Sequence, residues 1–168
     1  MSPEANTARF SEDFRYRYLL TREFGGSSTC VFVMLNPSTA DADHDDPTIK
    51  RCVGFAQREG FGRLEIVNLY GFMATEPKVL FAAVDPVGSD SDIEIVRALT
   101  RVDVVIVAWG NHGAVGKVRT DVVLDLITDS GKPVMCFGLT AKGQPKHPLY
   151  LPADAELMPF VRAVPFSD

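Results

Sequence analysis

Four short polar stretches carry the residue types that could do chemistry in this chain. They are Leu35-Asn36-Pro37-Ser38-Thr39, the isolated Asn68, Trp109-Gly110-Asn111-His112-Gly113, and Lys146-His147-Pro148-Leu149-Tyr150-Leu151. An asparagine amide accepts from a water and donates to a carbonyl with one rigid group. A histidine near neutral pH stabilises charge on a ligand as a neutral or cationic imidazole. The glycines around Asn111 and His112 allow close backbone approach, and a helix following them offers free N–H groups to an anion. No GxGxxG, Walker or GxSxG sequence occurs, and no cysteine sits in a catalytic pattern. Nucleotide-cofactor binding and covalent catalysis therefore lack a signal.

Asp41, Asp43, His44, Asp45 and Asp46 form an acidic run with the look of metal ligands. The run lacks the central glycine and distal glutamate of a calcium loop. Asp46 already has a role, because an aspartate followed by Pro47 is a good helix N-cap. A solvated acidic loop is the expectation, with no metal and no cofactor.

The elements that must position these groups follow from periodicity. Residues 10–24 alternate Arg15 and Arg17 with Tyr16 and Tyr18, suggesting a strand or hairpin arm. Cys30–Leu35 is apolar on both faces, as in a central parallel strand, and stops at Asn36-Pro37. A helix is predicted from Pro47, with Ile49, Cys52, Val53 and Ala56 inward and Gly60 ending it. Leu64–Tyr70, Val102–Ala108 and Pro133–Phe137 read as three more strands. Between them, Ser91 and Glu94 suggest a capping box, with Ile93, Val96 and Leu99 inward. Val115, Val118, Val122, Leu126 and Ile127 mark another amphipathic helix, and a short helix is predicted after Asp154. Alternating strands and helices imply right-handed βαβ units with helices on both faces. Ligands then bind beyond the carboxyl ends of the strands, where all four polar stretches fall.

The chain has 168 residues and a formal net charge of −5, with 46% hydrophobic and 23% charged residues. Those values describe an ordinary globular protein, and residues 1–168 are expected to form one domain. The negative balance disfavours coating nucleic acid by charge alone. Cys30, Cys52 and Cys136 are scattered in apolar stretches, as free buried thiols of a reducing cytoplasm would be. The polar N-terminus shows no secretory signal, and no apolar run approaches the ~20 residues of a membrane span. A monomeric cytoplasmic protein with no membrane partner is expected.

The stretches RYRYLLTR, MLNPSTAD, DDPTIKRC, VNLYGFMAT, AWGNHG and GQPKHPLYL resemble an uncharacterised bacterial and phage family with a domain of unknown function, over about residues 15–152. More distantly, the motif series resembles the uracil-DNA glycosylase superfamily. That resemblance implies a three-layer α/β/α fold whose four-stranded, mostly parallel sheet has the order 2-1-3-4. It places the water-positioning residue on Asn36, beside Pro37 and Ser38, and the base-reading asparagine on Asn68. It places the strand-ending pair on Trp109-Gly110, followed by Asn111 and His112. Its last motif becomes His147-Pro148, with His147 stabilising the leaving base and Leu151 as the duplex wedge. Ser38 stands where standard members carry an aromatic, and Leu149-Tyr150 replaces a Ser-Pro pair, which is compatible with a bulkier or modified base.

The residue types suit N-glycosidic cleavage. Asn36 would orient water, while His147 and Asn68 stabilise charge on the base. An extruded base would stack on Phe55, Tyr70, Phe72 or Trp109. DNA phosphates would meet Arg15, Arg17, Arg51, Lys117, Arg119, Lys142 or Lys146. Two other readings stand beside this one: a non-catalytic binder of modified bases or nucleotides, and a metal-dependent nuclease or phosphohydrolase using Asp41, Asp43, Asp45 and Asp46.

Overall fold

Apolar, β-branched runs at Thr29–Met34 (β3), Arg63–Asn68 (β4), Val104–Val107 (β5) and Val134–Cys136 (β6) lie parallel and side by side in a computed structural model, which describes residues 6–162. Two further pairings extend this block. Thr7–Phe10 (β1) and Arg17–Glu23 (β2) form an antiparallel hairpin that docks along β4, and Met158–Pro159 (β7) adds antiparallel to β6. The sheet is therefore seven-stranded and mixed, in the order β1-β2-β4-β3-β5-β6-β7. The expected four-stranded, mostly parallel, uracil-DNA glycosylase-like sheet is corrected by this finding. The hairpin arm is part of the sheet because Leu20 and the other buried residues of β2 need cover on both faces. Among the described residues no helix follows Asp154; β7 lies there instead.

Helices cover both faces. Pro47–Arg58 (α1) begins as predicted, with Asp46 accepting from the Ile49 N–H at 2.9 Å, and buries Ile49, Cys52, Phe55 and Ala56 against Phe32, Met34, Leu64 and Ile66. The opposite face carries Pro77–Ala82 (α2), Ser91–Arg101 (α3) and Lys117–Ser130 (α4), packed on Val31, Val33, Val67, Leu69, Val105 and Val107. Strand alternation thus sends even-numbered residues of β3 and β4 toward α1 and odd-numbered ones toward α3 and α4.

Two helices present a different face from the predicted one. In α3 the inward residues are Ser91, Glu94, Ile95, Ala98 and Leu99, while Ile93 and Val96 are exposed. No capping box forms: Asp90 occupies the cap position, and Glu94 instead pairs with Arg9 at 2.8 Å and Arg97 at 3.1 Å. In α4, Val118 and Val122 face outward, and Thr120, Val123, Leu124 and Ile127 face the sheet. Thr120 is tolerated there because its hydroxyl donates to the Gly113 carbonyl at 2.7 Å.

Candidate functional site

The neighbours β2, β4, β3 and β5 bring the start of β2 (Arg17), the end of β4 (Asn68), the residue after β3 (Asn36) and Gly110 after β5 to the same end of the sheet. Adjacent strands are about 4.8 Å apart, so β4 to β5 spans about 10 Å, on the scale of a nucleobase. Asn68 ends β4, in register with Met34 of β3. It alternates with Leu64 and Ile66, hence toward α1. It is 4% exposed, and neither its Oδ1 nor its Nδ2 has a hydrogen-bond partner. A buried amide with both ends unmatched is rare and unfavourable.

Asn36 lies just beyond β3. Its Nδ2 faces three carbonyls, those of Pro37 (3.0 Å), Phe72 (3.3 Å) and Ala74 (2.8 Å). The amide therefore ties the exit of β3 to the loop after β4 and leaves Oδ1 as the available acceptor. Pro37 is buried and its carbonyl also accepts from the Ala74 N–H; Ser38 is half-buried.

His147 reaches the rim from the loop after β6. Gly110, at φ 75°, brings the end of β5 so close that a Cβ there would lie 3.3 Å from the His147 Cβ. Both the conformation and the approach require glycine. His147 Nδ1 accepts from the Leu149 N–H at 3.2 Å, opening a 3₁₀ turn at Pro148–Tyr150. Burial pushes its pKa from 6.5 down to about 4, opposed by the charge of Asp46. The ring is thus neutral at pH 7, with the proton on Nε2, since Nδ1 is an acceptor. The unfolded chain takes up this proton near pH 6.5, and the folded one only near 4. Stability should therefore fall as pH drops through that window and be unaffected above it. In denaturant titrations, His147→Gln should lose part of this acid sensitivity. An equal pH response in both proteins would contradict a neutral imidazole at this position.

Two site members were not foreseen in these roles. Arg9 pairs with Leu19 but Phe10 pairs with Arg17, so Tyr18 is an extra residue on β2. This bulge re-aims Arg17, and its Nη1 donates to the Ala40 carbonyl at 3.0 Å on the α1 face. Arg17 is 2% exposed, and its Nε has no partner. Burial pushes its pKa down to about 10, with Asp46 opposing, so it stays charged at pH 7. Asp46 is more than a cap. It also accepts from the Ala40 N–H at 3.3 Å, and its charge is felt by both Arg17 and His147. Polar alternation in β2 marks Arg17, but a bulge leaves no local trace in sequence.

The remaining predicted residues are placed as follows. Trp109 is buried on the α3–α4 face and donates from Nε1 to Gln144 Oε1 at 2.9 Å. Asn111 and His112 are exposed, Asn111 Oδ1 accepting from the Thr140 hydroxyl at 2.5 Å. Pro148 and Leu151 are buried, Leu151 in the α1-side core, with Arg51 donating to both carbonyls. The exposed apolar tip of this loop is Leu149 and Tyr150, the latter 84% exposed. Phe55 and Tyr70 are core residues.

The acidic loop is braced from within. Asp41 accepts from the Asp43 and His44 N–H groups, Asp45 pairs with Arg22 at 2.9 Å, and Arg22 also donates to the Asp41 and His44 carbonyls. Among the described residues, no group of three or more His, Cys, Asp or Glu is placed to hold a metal ion. None of the described helices is long and apolar enough to cross a membrane.

Residues 17–149 match a family model described as "Protein of unknown function (DUF1643)". No curated protein matches the chain, and no solved structure does.

Proposed function

We propose, for a chain that belongs to the DUF1643 family, that the rim binds a damaged or modified base of DNA and that the chain hydrolyses its N-glycosidic bond. The observation that carries this reading is the Asn68 amide, buried with donor and acceptor both unmatched. A donor and an acceptor side by side complement the N–H and C=O edge of a lactam or imide base. Hydrolysis breaks the bond from the anomeric carbon to the base nitrogen, and the electron pair leaves with the base. His147 Nε2–H donates to a base oxygen as that charge develops. The Asn36 Oδ1 accepts from the water whose oxygen bonds to the anomeric carbon, and the water's proton passes to solvent.

A second reading has its own support. The Asn36 nitrogen is engaged by three backbone carbonyls, as a purely structural amide would be, which favours a base-binding protein without catalysis. The nuclease reading has less, because Asp41, Asp45 and Asp46 serve as caps and as the partner of Arg22.

Oligonucleotides carrying uracil, hydroxymethyluracil and other modified bases, single- and double-stranded, decide the matter after incubation and alkali treatment. Strand cleavage insensitive to chelator is the expected outcome. Saturable binding with intact substrate would favour the binder. Chelator-sensitive cleavage would favour the nuclease. Full activity in both Asn36→Ala and His147→Ala would overturn the assigned roles.

A further inference from the structure

Arg17 and Arg22 occupy the same strand and send their guanidinium groups to the same face, yet only one is saturated. Arg22 donates from Nε to Asp45, from Nη1 to the Thr21 carbonyl and from Nη2 to the Asp41 carbonyl. Arg17 is the more deeply buried of the two, and its recorded hydrogen bond is the single one from Nη1 to the Ala40 carbonyl. Its Nε is fully enclosed without an acceptor. Among the described residues, no carboxylate forms an ion pair with it. Asp46 is near enough to be felt, but its two oxygens are taken by the Ile49 and Ala40 N–H groups. The neighbouring positive charge of Arg22 makes matters worse. A buried guanidinium with an unmatched donor and no ion-paired carboxylate is unfavourable. The amino end of α1, just beyond Ala40 and Asp46, adds a further positive field.

We propose that Arg17, at the same end of the sheet as Asn68 on the adjoining strand, forms an oxyanion subsite, so that the ligand of this rim is a base that brings a single anionic group with it. A fork of N–H donors is the geometry that recognises phosphate or carboxylate oxygens. The anion is either the phosphate of a nucleotide or an acidic substituent on the base. The inference rests on the base-binding reading of Asn68 for the identity of the ligand, but not on catalysis.

Thermal unfolding of the full chain tests it. Inorganic phosphate, compared with chloride at matched ionic strength, should raise the Tm saturably, by about 5–10 °C at a hundredfold excess over its Kd. Arg17→Met should abolish that rise while leaving the ligand-free protein at least as stable as the parent. Arg17→Lys keeps the charge but loses the fork, and should weaken the rise. Deoxyuridine monophosphate acting where deoxyuridine does not would place the anion on the sugar phosphate. Carboxyuracil acting where uracil does not would place it on the base. The absence of any oxyanion effect on the parent protein, or an equal effect in Arg17→Met, would overturn the subsite. Failure of strand cleavage with the phosphate effect intact would instead remove only the hydrolytic reading.

Discussion

Arg101→Met should lower stability by about 3 kcal/mol at pH 7, the largest loss expected from any single exposed side chain here. Glu65, in the middle of β4, has no exposed surface, and it faces the α3 side by alternation. Arg101 in the last turn of α3 covers it, with Nε 3.1 Å from both carboxylate oxygens and Nη2 2.6 Å from Oε1. The carboxylate holds the Arg101 pKa above its ordinary value through the same hydrogen bonds. Removing the arginine strands a buried charge, since Arg63 remains only at 3.5 Å. At 2–4 °C per kcal/mol for a domain of this size, the Tm should fall by roughly 6–12 °C. Glu65→Leu combined with Arg101→Met should recover most of this deficit. A double variant as unstable as the single one would show that Arg101 acts by packing rather than by neutralising Glu65.

The same residues explain which parts of the fold were legible beforehand. The start of α1 was readable because its signals are local: an aspartate cap, a proline at the first turn and a helical apolar spacing all point to one residue. The four parallel strands were readable because they are apolar on both faces. The seven-stranded sheet was not, because β2 carries Arg17, Thr21 and Arg22, which read as solvent-facing polar residues and are in fact buried with partners on other elements. The orientation of α3 was lost for a related reason. A buried Glu94 is permissible only with Arg9 and Arg97 beside it, and Arg9 comes from the far edge of the sheet. The placement of Asn36, Asn68 and His147 near strand ends followed from topology alone. What Arg17 does depends on a one-residue bulge, and what Leu151 does depends on Arg51 pinning its carbonyl into the α1 core; neither has a periodic signature.

Asn68→Leu should make the protein more stable and less capable, and this opposition separates a ligand site from a structural amide. Leucine has as many side-chain heavy atoms as asparagine and the same branching, and it adds no polar atom at a position 4% exposed, next in alternation to Ile66. An amide buried without partners costs roughly 1–3 kcal/mol relative to one that is satisfied. Relief of that penalty should raise the Tm of the ligand-free protein by roughly 2–12 °C. The functional effect runs the other way. A site that loses the hydrogen bonds reading a base edge leaves the ligand's own donor and acceptor unmatched, and kcat/KM should fall by about 10² to 10³. If base binding is the whole function, the same loss should appear in Kd. Recognition of a base edge is one way such a penalty is removed. A structural asparagine, satisfied by the fold in solution, would give the reverse pattern: a lower Tm in Asn68→Leu with activity or binding retained. Measuring both quantities on one preparation therefore decides whether the unmatched amide is the feature around which this rim is built.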